Sequence, residues 1–315
     1  MKHRGRSSLA SAAILLVLCL IMSSCASQGA AKGDEVHAGP RMFWILEAEA
    51  TGEGKGRLYA QGTLHMGRPE LYPLDPETLA RMAQSDIIVA ELSQTELETA
   101  QALMLDRLAG SIVPEGKTLS MLLPPDELDW IRSFMGADTF AAFNRYEPWV
   151  ALSALEMFAA SRAGLDSALG VDASLFEEAL RLGRHVEGLE TAEFQMNILT
   201  GHALSDQVLM LRDSIREYRD NPDAIPGLYE AYRDDNRHLL ASQIRASLDR
   251  SETFSPRLQS FNESLLDNRN ADWAQRLHGL LDSGFDVYLF AGAAHFVGEG
   301  NVIERLEAYG YTVLP

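Results

Sequence analysis

Arg57-Leu58-Tyr59-Ala60-Gln61-Gly62-Thr63-Leu64-His65 and, near the other end of the chain, Asp286-Val287-Tyr288-Leu289-Phe290-Ala291-Gly292-Ala293-Ala294-His295 are built alike. Each is an apolar, strand-forming run that ends in a glycine, with a histidine three positions beyond it. Glycine at a strand exit lets the backbone turn sharply or approach a ligand closely, so each histidine is expected to face a cleft. With eight histidines and 24 glycines in 315 residues, the Gly-x-x-His spacing alone is near chance. The shared strand-turn-histidine context is what carries information.

Working outward, Met42 to Ala48 and Arg57 to Gln61 flank Thr51-Gly52-Glu53-Gly54-Lys55-Gly56, which predicts a hairpin with a glycine-rich turn. A helix is expected over Pro76 to Gln84. Asp86-Ile87-Ile88-Val89-Ala90 reads as a short buried strand ending at Glu91. From Thr95 to about Glu178 apolar residues recur at threes and fours, interrupted by Pro114, Pro124-Pro125 and Pro148. A second short strand, His185 to Leu189, precedes Glu190. Helical spacing resumes from Thr191 to about Ser283, with breaks near Pro222, Pro226 and Pro256. The chain then runs strand (286 to 291), glycine turn, helix (about 299 to 308) and strand (Tyr311 to Leu314). Strands at both ends and helices between them predict an α/β fold: a mixed sheet built from N- and C-terminal strands with a large helical insertion, residues 41 to 315 forming a single domain.

The first 24 residues have a basic start (Lys2, Arg4, Arg6), an apolar stretch from Leu9 to Met22 and Ser23-Ser24 before Cys25. This pattern reads as an export signal of the lipoprotein type, with Cys25 as the lipidated residue. Simple cleavage and a retained anchor are the alternatives, the latter disfavoured because the run is shorter than the ~20 residues of a spanning helix. Residues 25 to 40, rich in Ala, Gly and Ser, read as a flexible tether. The expected location is the cell envelope, with the body held at a membrane through its lipid. Both cysteines lie at 19 and 25, which excludes disulfides, thiolate metal sites and cysteine nucleophiles from the body. A formal charge of −18 excludes nucleic acid as a partner.

Four apolar runs thus end in a ligand or acid/base group: His65, Glu91, Glu190 and His295. If their strands are parallel, the four converge beyond the carboxyl edge of the sheet, where ligands bind in open α/β folds. Two imidazoles and one carboxylate make a divalent-metal set, and the other carboxylate could then act as general base. Each has a plainer role open to it: a histidine bonded to backbone in a turn, or a glutamate favoured by a helix N-terminus, as Thr191 and Glu193 suggest for Glu190. Gly110 to Thr118 fails as a phosphate loop because Ser111 stands where glycine is needed. His-Glu-x-x-His and Gly-x-Ser-x-Gly are absent.

At these residues the chain resembles the TraB/PrgY/GumN family, whose relatives include the Tiki metalloproteases. The resemblance rests on motifs in the family's order: Leu58 to His65 with Leu71-Tyr72-Pro73-Leu74, Ile88 to Leu92, Pro148-Trp149, Gly170-Val171-Asp172, Gly188-Leu189-Glu190-Thr191 with Gln195, Arg269-Asn270 with Trp273, and Gly292 to Gly298. It implies a mixed α/β fold and metal-dependent hydrolysis of peptide bonds. With it, we assign His65, His295 and Glu91 to the metal and Glu190 to the general base. Arg269 and Asn270 fall on a supporting motif, where Arg269 would stabilise an oxyanion or hold a substrate carboxylate; their alternative is an exposed helix start with Asn268 or Asn270 as cap. The donors suit zinc, manganese or cobalt alike. The expected partner is a peptide or protein substrate. A non-catalytic lipoprotein that sequesters a peptide or partner protein is the different-class alternative, and ester or lactone hydrolysis would use the same residues.

Overall fold

The computed structural model describes residues 39–48 and 54–315. The export segment, Cys25 and nearly all of the tether lie outside these residues. One six-stranded sheet organises the fold, with spatial order β4-β3-β5-β2-β1-β6. In chain order the strands are β1 (Phe43–Ala48), β2 (Leu58–Thr63), β3 (Ile87–Ala90), β4 (Val186–Gly188), β5 (Val287–Gly292) and β6 (Tyr311–Val313). β1 pairs antiparallel with β2, as the hairpin pattern predicts, and with β6 on its other side. β2 pairs parallel with β5, β5 with β3, and β3 with β4. The sheet is therefore mixed, and its parallel half joins strands from both ends of the chain.

Sequence explains this placement. β5 reads Val-Tyr-Leu-Phe-Ala-Gly and β2 reads Leu-Tyr-Ala-Gln-Gly-Thr; all of β2 and the first five residues of β5 are buried, so both faces of these strands are covered. The first helix, Pro76–Gln84, starts where expected because Asp75 accepts from the Glu77 N–H at 2.8 Å and Pro76 occupies the first helical position. Gly110 closes the long helix Gln94–Gly110, so no strand leads into the discarded phosphate-loop motif.

Two separate hydrophobic cores form. One lies on the sheet and includes Leu58, Tyr288, Leu289 and Trp273. The other lies mainly among the helices of the insertion and centres on Pro148–Arg162, whose residues Pro148 to Leu155 are all buried, packed against Leu204–Asp220. Leu92, just past β3, and Ala192 and Met196, just past β4, belong to this second core. The insertion thus leaves the sheet at the ends of β3 and β4, beside the expected site.

Gly56 is held where no side chain fits: its N–H donates to Leu281 O at 2.8 Å, and an added Cβ would sit 1.8 Å from Phe285 O. Gly279, inside the helix Asp267–Asp282, faces open space. Gly56→Ala should therefore cost about 1–3 kcal/mol by overpacking, and Gly279→Ala should gain about 0.5–1 kcal/mol of helix propensity. Urea unfolding of the two variants checks both signs.

Candidate active site

The carboxyl ends of β4, β3, β5 and β2 lie side by side because these four strands are parallel neighbours. His65 follows β2 by two residues, Glu91 follows β3 directly, and Glu190 follows β4 by two. His295 sits in the 3-10 turn Ala293–Phe296 after β5. All four expected residues thus emerge along one edge of the sheet, the place where open α/β sheets bind ligands. The helix Asp267–Asp282 lies against this edge and brings Arg269, Asn270 and Trp273, which share a face by their spacing of three and four.

Each histidine is anchored through Nδ1. His65 Nδ1 lies 2.9 Å from Asp172 Oδ2, a carboxylate oxygen, so the ring nitrogen donates. His295 Nδ1 lies 2.7 Å from Asn270 Oδ1. The Asn270 amide donates its Nδ2 to Gly300 O at 3.2 Å, which turns Oδ1 toward the imidazole and places the proton on His295 Nδ1. Neither Nε2 makes a hydrogen bond within the described residues. His295 also lies on the Trp273 ring at 4.2 Å between centroids.

The two anchors give the imidazoles opposite character. Burial pulls His65 down, but the Asp172 and Glu91 charges outweigh it and raise the ring to about 9. Burial dominates at His295, where Asn270 brings no charge, and the ring falls to about 3. His295 is therefore neutral at physiological pH, with its lone pair on Nε2.

The glutamates are joined by two shared donors. Glu91 Oε2 accepts from Arg269 Nη2 at 2.6 Å and Gln195 Nε2 at 3.0 Å. Glu190 Oε1 accepts from the same Gln195 Nε2 at 2.7 Å and from Arg269 Nη2, and Glu190 Oε2 accepts from Arg269 Nε at 3.0 Å. Glu91 Oε1 takes the Gly292 N–H at 2.9 Å. Burial pushes the Glu91 carboxyl up, yet Arg269, both imidazoles and the Gly292 N–H hold it down at about 2. Glu190 moves up, through burial and the Glu91 charge, and neither histidine is among the main charges acting on it. Glu190 and Arg269 instead line a cleft of about 460 Å³ with Phe194, Thr191 and Arg276.

The plainer roles are therefore filled by other residues. The helix Ala192–Thr200 is capped by Thr191, and its first N–H is taken by Glu96 Oε2 at 2.6 Å, so Glu190 is not its N-terminal charge. The helix Asp267–Asp282 has no side-chain cap, and Asn270 orients His295 instead. Four of the five N–H groups of Arg269 go to Glu91, Glu190 and Leu265 O, which leaves one Nη1 hydrogen for the oxyanion role the sequence suggested. Asp172 is the partner of His65 that strand-end logic missed. Its signal was Gly170-Val171-Asp172: a Cβ on Gly170 would lie 2.6 Å from His65 O, and the Val171 N–H bonds Leu64 O at 2.8 Å, so only glycine lets the two segments meet.

Among the described residues, no group of three or more His, Cys, Asp and Glu side chains stands in a metal-holding arrangement. The chemistry of the donors nevertheless fits a cation. An imidazole anchored at Nδ1 with Nε2 free is the state in which histidine ligates metals. Asp172 Oδ1, next to His65, and Thr63 Oγ1 are buried oxygens without a partner. Glu91 Oε1 keeps one lone pair beyond its bond to Gly292. No helix among the described residues is long and apolar enough to cross a membrane.

Fold and site together define an α/β protein with a cluster of histidine, glutamate and arginine side chains at the carboxyl edge of a mixed sheet. The chain belongs to the TraB/PrgY/gumN family, whose profile matches residues 43–315. It is 24% identical over 272 residues to an uncharacterized protein of Treponema pallidum (strain Nichols), covering 84% of this chain and 79% of that one. To the uncharacterized protein YbaP of Escherichia coli (strain K12) it is 24% identical over 257 residues, 80% of this chain and 89% of the relative. Metalloprotease TIKI1 of Xenopus tropicalis is 25% identical over 306 residues, 81% of this chain but 59% of its own length. No solved structure matches the chain.

A raised imidazole stabilises the fold below its unfolded value and loses that contribution as pH rises through the folded one. In metal-free protein, the His65 contribution should be complete below about 6.5 and disappear on passing about 9. Asp172→Asn should bring the His65 titration, followed by NMR, well below that of the wild type and abolish this alkaline loss. A His65 titration unchanged by the substitution would contradict the anchor.

Proposed function

We propose that the chain is a metal-dependent hydrolase of peptide bonds, with His65, His295 and Glu91 holding a divalent cation. The observation that carries this is the paired anchoring of both imidazoles at Nδ1, by Asp172 and by Asn270. Charge supports it: with both imidazoles neutral, the carboxylates of Asp172, Glu91 and Glu190 and the guanidinium of Arg269 leave two negative charges, which one divalent ion balances. The relatives named metalloproteases support the reaction class.

The bound cation would supply a Lewis acid and lower the pKa of a coordinated water. The chain's own residues prepare that chemistry. Asp172 and Asn270 fix the two rings, and the donors they leave are Nε2 of His295, Nε2 of His65 once deprotonated, and the second lone pair of Glu91 Oε1. In the metal-free state His65 Nε2 carries a proton at neutral pH, which must leave for that nitrogen to ligate. Glu190, expected as general base, has both oxygens bonded to Arg269 and serves here as the counter-charge that holds the arginine in place. Trp273 excludes water from one face of His295. The substrate would be a peptide or protein, and the export segment with Cys25 would place the body at the cell envelope on a lipid anchor.

Equilibrium dialysis against zinc, manganese or cobalt should show one ion per chain, lost in His65→Ala and His295→Ala together with cleavage of a peptide mixture. Because binding displaces one proton from His65, affinity should rise about tenfold per pH unit from pH 6 until about 9. Full metal loading and activity in both variants would refute the assignment. Peptide binding that survives chelation and both substitutions would favour a sequestering protein.

A further inference from the structure

We infer that Gln195 and Arg269 are positioning residues: they clasp Glu91 and Glu190 into one unit and leave Glu91 a single oxygen, Oε1, to offer a cation. This inference rests on the metal-binding reading above. Both donors bridge the same two atoms, Glu91 Oε2 and Glu190 Oε1. Gln195 Nε2 is 3.0 Å from the first and 2.7 Å from the second, and Arg269 Nη2 bonds both. A carboxylate only accepts, so the Gln195 amide must turn its NH₂ group toward the pair and spend one hydrogen on each.

The clasp divides the labour between two chemically identical side chains. Glu91 Oε1, bonded to Gly292 N, lies on the His295 side: a Cβ on Gly292 would be 3.4 Å from that oxygen and 3.7 Å from His295 Cδ2. Glu190 Oε2 is bonded to Arg269 Nε and lines the outer cleft. One carboxylate therefore faces the imidazoles and the other faces away, with the guanidinium and the amide between them. The guanidinium is backed by the Trp273 ring at 4.8 Å and tied to Leu265 O at 3.1 Å, which fixes its plane. Side-chain exposures of 10%, 13% and 6% for Arg269, Glu91 and Glu190 leave little water to replace a lost donor. Gln195 comes from the insertion, on the helix Ala192–Thr200 whose neighbouring Met196 is buried in the second core. The helical lobe thereby reaches into the site through one amide.

The test is zinc titration by calorimetry of the full chain, with cobalt absorption as a report on the ligand set. Gln195→Met keeps length and removes both N–H groups; Gln195→Leu is the second variant should the first fold poorly, and Glu193→Gln, at an exposed position of the same helix outside the cleft lining, is the control. Loss of a group that orients a ligand typically weakens metal binding by about 10- to 100-fold. That loss is expected for Gln195→Met, with an altered cobalt spectrum and unchanged circular dichroism, while Glu193→Gln binds as wild type. Wild-type zinc affinity and cobalt spectrum in both Gln195 variants would overturn the clasp and leave the hydrolase reading standing. Absence of zinc and cobalt binding by the wild-type chain would overturn both.

Discussion

Arg269 between Glu91 and Glu190 is the interaction on which the site depends. Two carboxylates brought together away from water repel each other, and burial penalises each charge. One guanidinium that reaches both, with the shared Gln195 amide, makes their proximity tolerable. Breaking such a buried set by removing one partner typically costs about 3–5 kcal/mol. The arrangement is therefore costly to break at either of its charged partners. It also ties three segments that the sequence separates widely: the end of β3, the end of β4 and the helix Asp267–Asp282.

A second theme is asymmetry created by neutral versus charged neighbours. The histidines occupy matching positions after parallel strands, and each bonds an oxygen through Nδ1. Asp172 brings a charge to one and Asn270 only a dipole to the other, and this difference separates their titrations widely. One ring carries a labile proton and the other stays a permanent neutral donor. Such division by environment is how paired titratable groups acquire distinct roles.

Much of this was legible in the sequence. The β-branched and aromatic runs located the strands, Asp75-Pro76 marked the first helix start, and the repeated Gly-x-x-His with two strand-end glutamates found the edge of the sheet where the residues gather. The partners of those residues were not legible, because a hydrogen bond between His65 and Asp172 or between Glu91 and Gln195 leaves no trace in local periodicity. Donor accounting likewise needs coordinates: nothing in Arg269-Asn270 says that the arginine's donors go to carboxylates and carbonyl oxygen. The second core was hidden for a related reason. Prolines broke the insertion into pieces whose apolar faces could be counted but not matched to one another.

The position of β5 has a consequence for the order in which the molecule is built. β5 is the strand that joins β3 to β2, yet it comes from residues 287–292, after the entire helical insertion. Until it arrives, the β1-β2 hairpin and the β3-β4 pair are fragments with no hydrogen bonds between them. A chain made from its N-terminus therefore carries His65 apart from Glu91 and Glu190 until β5 has been added. Non-local parallel pairing is slow to form because the intervening loop must close first. The side chains at the carboxyl edge are therefore brought to one place only when β5 joins β3 to β2.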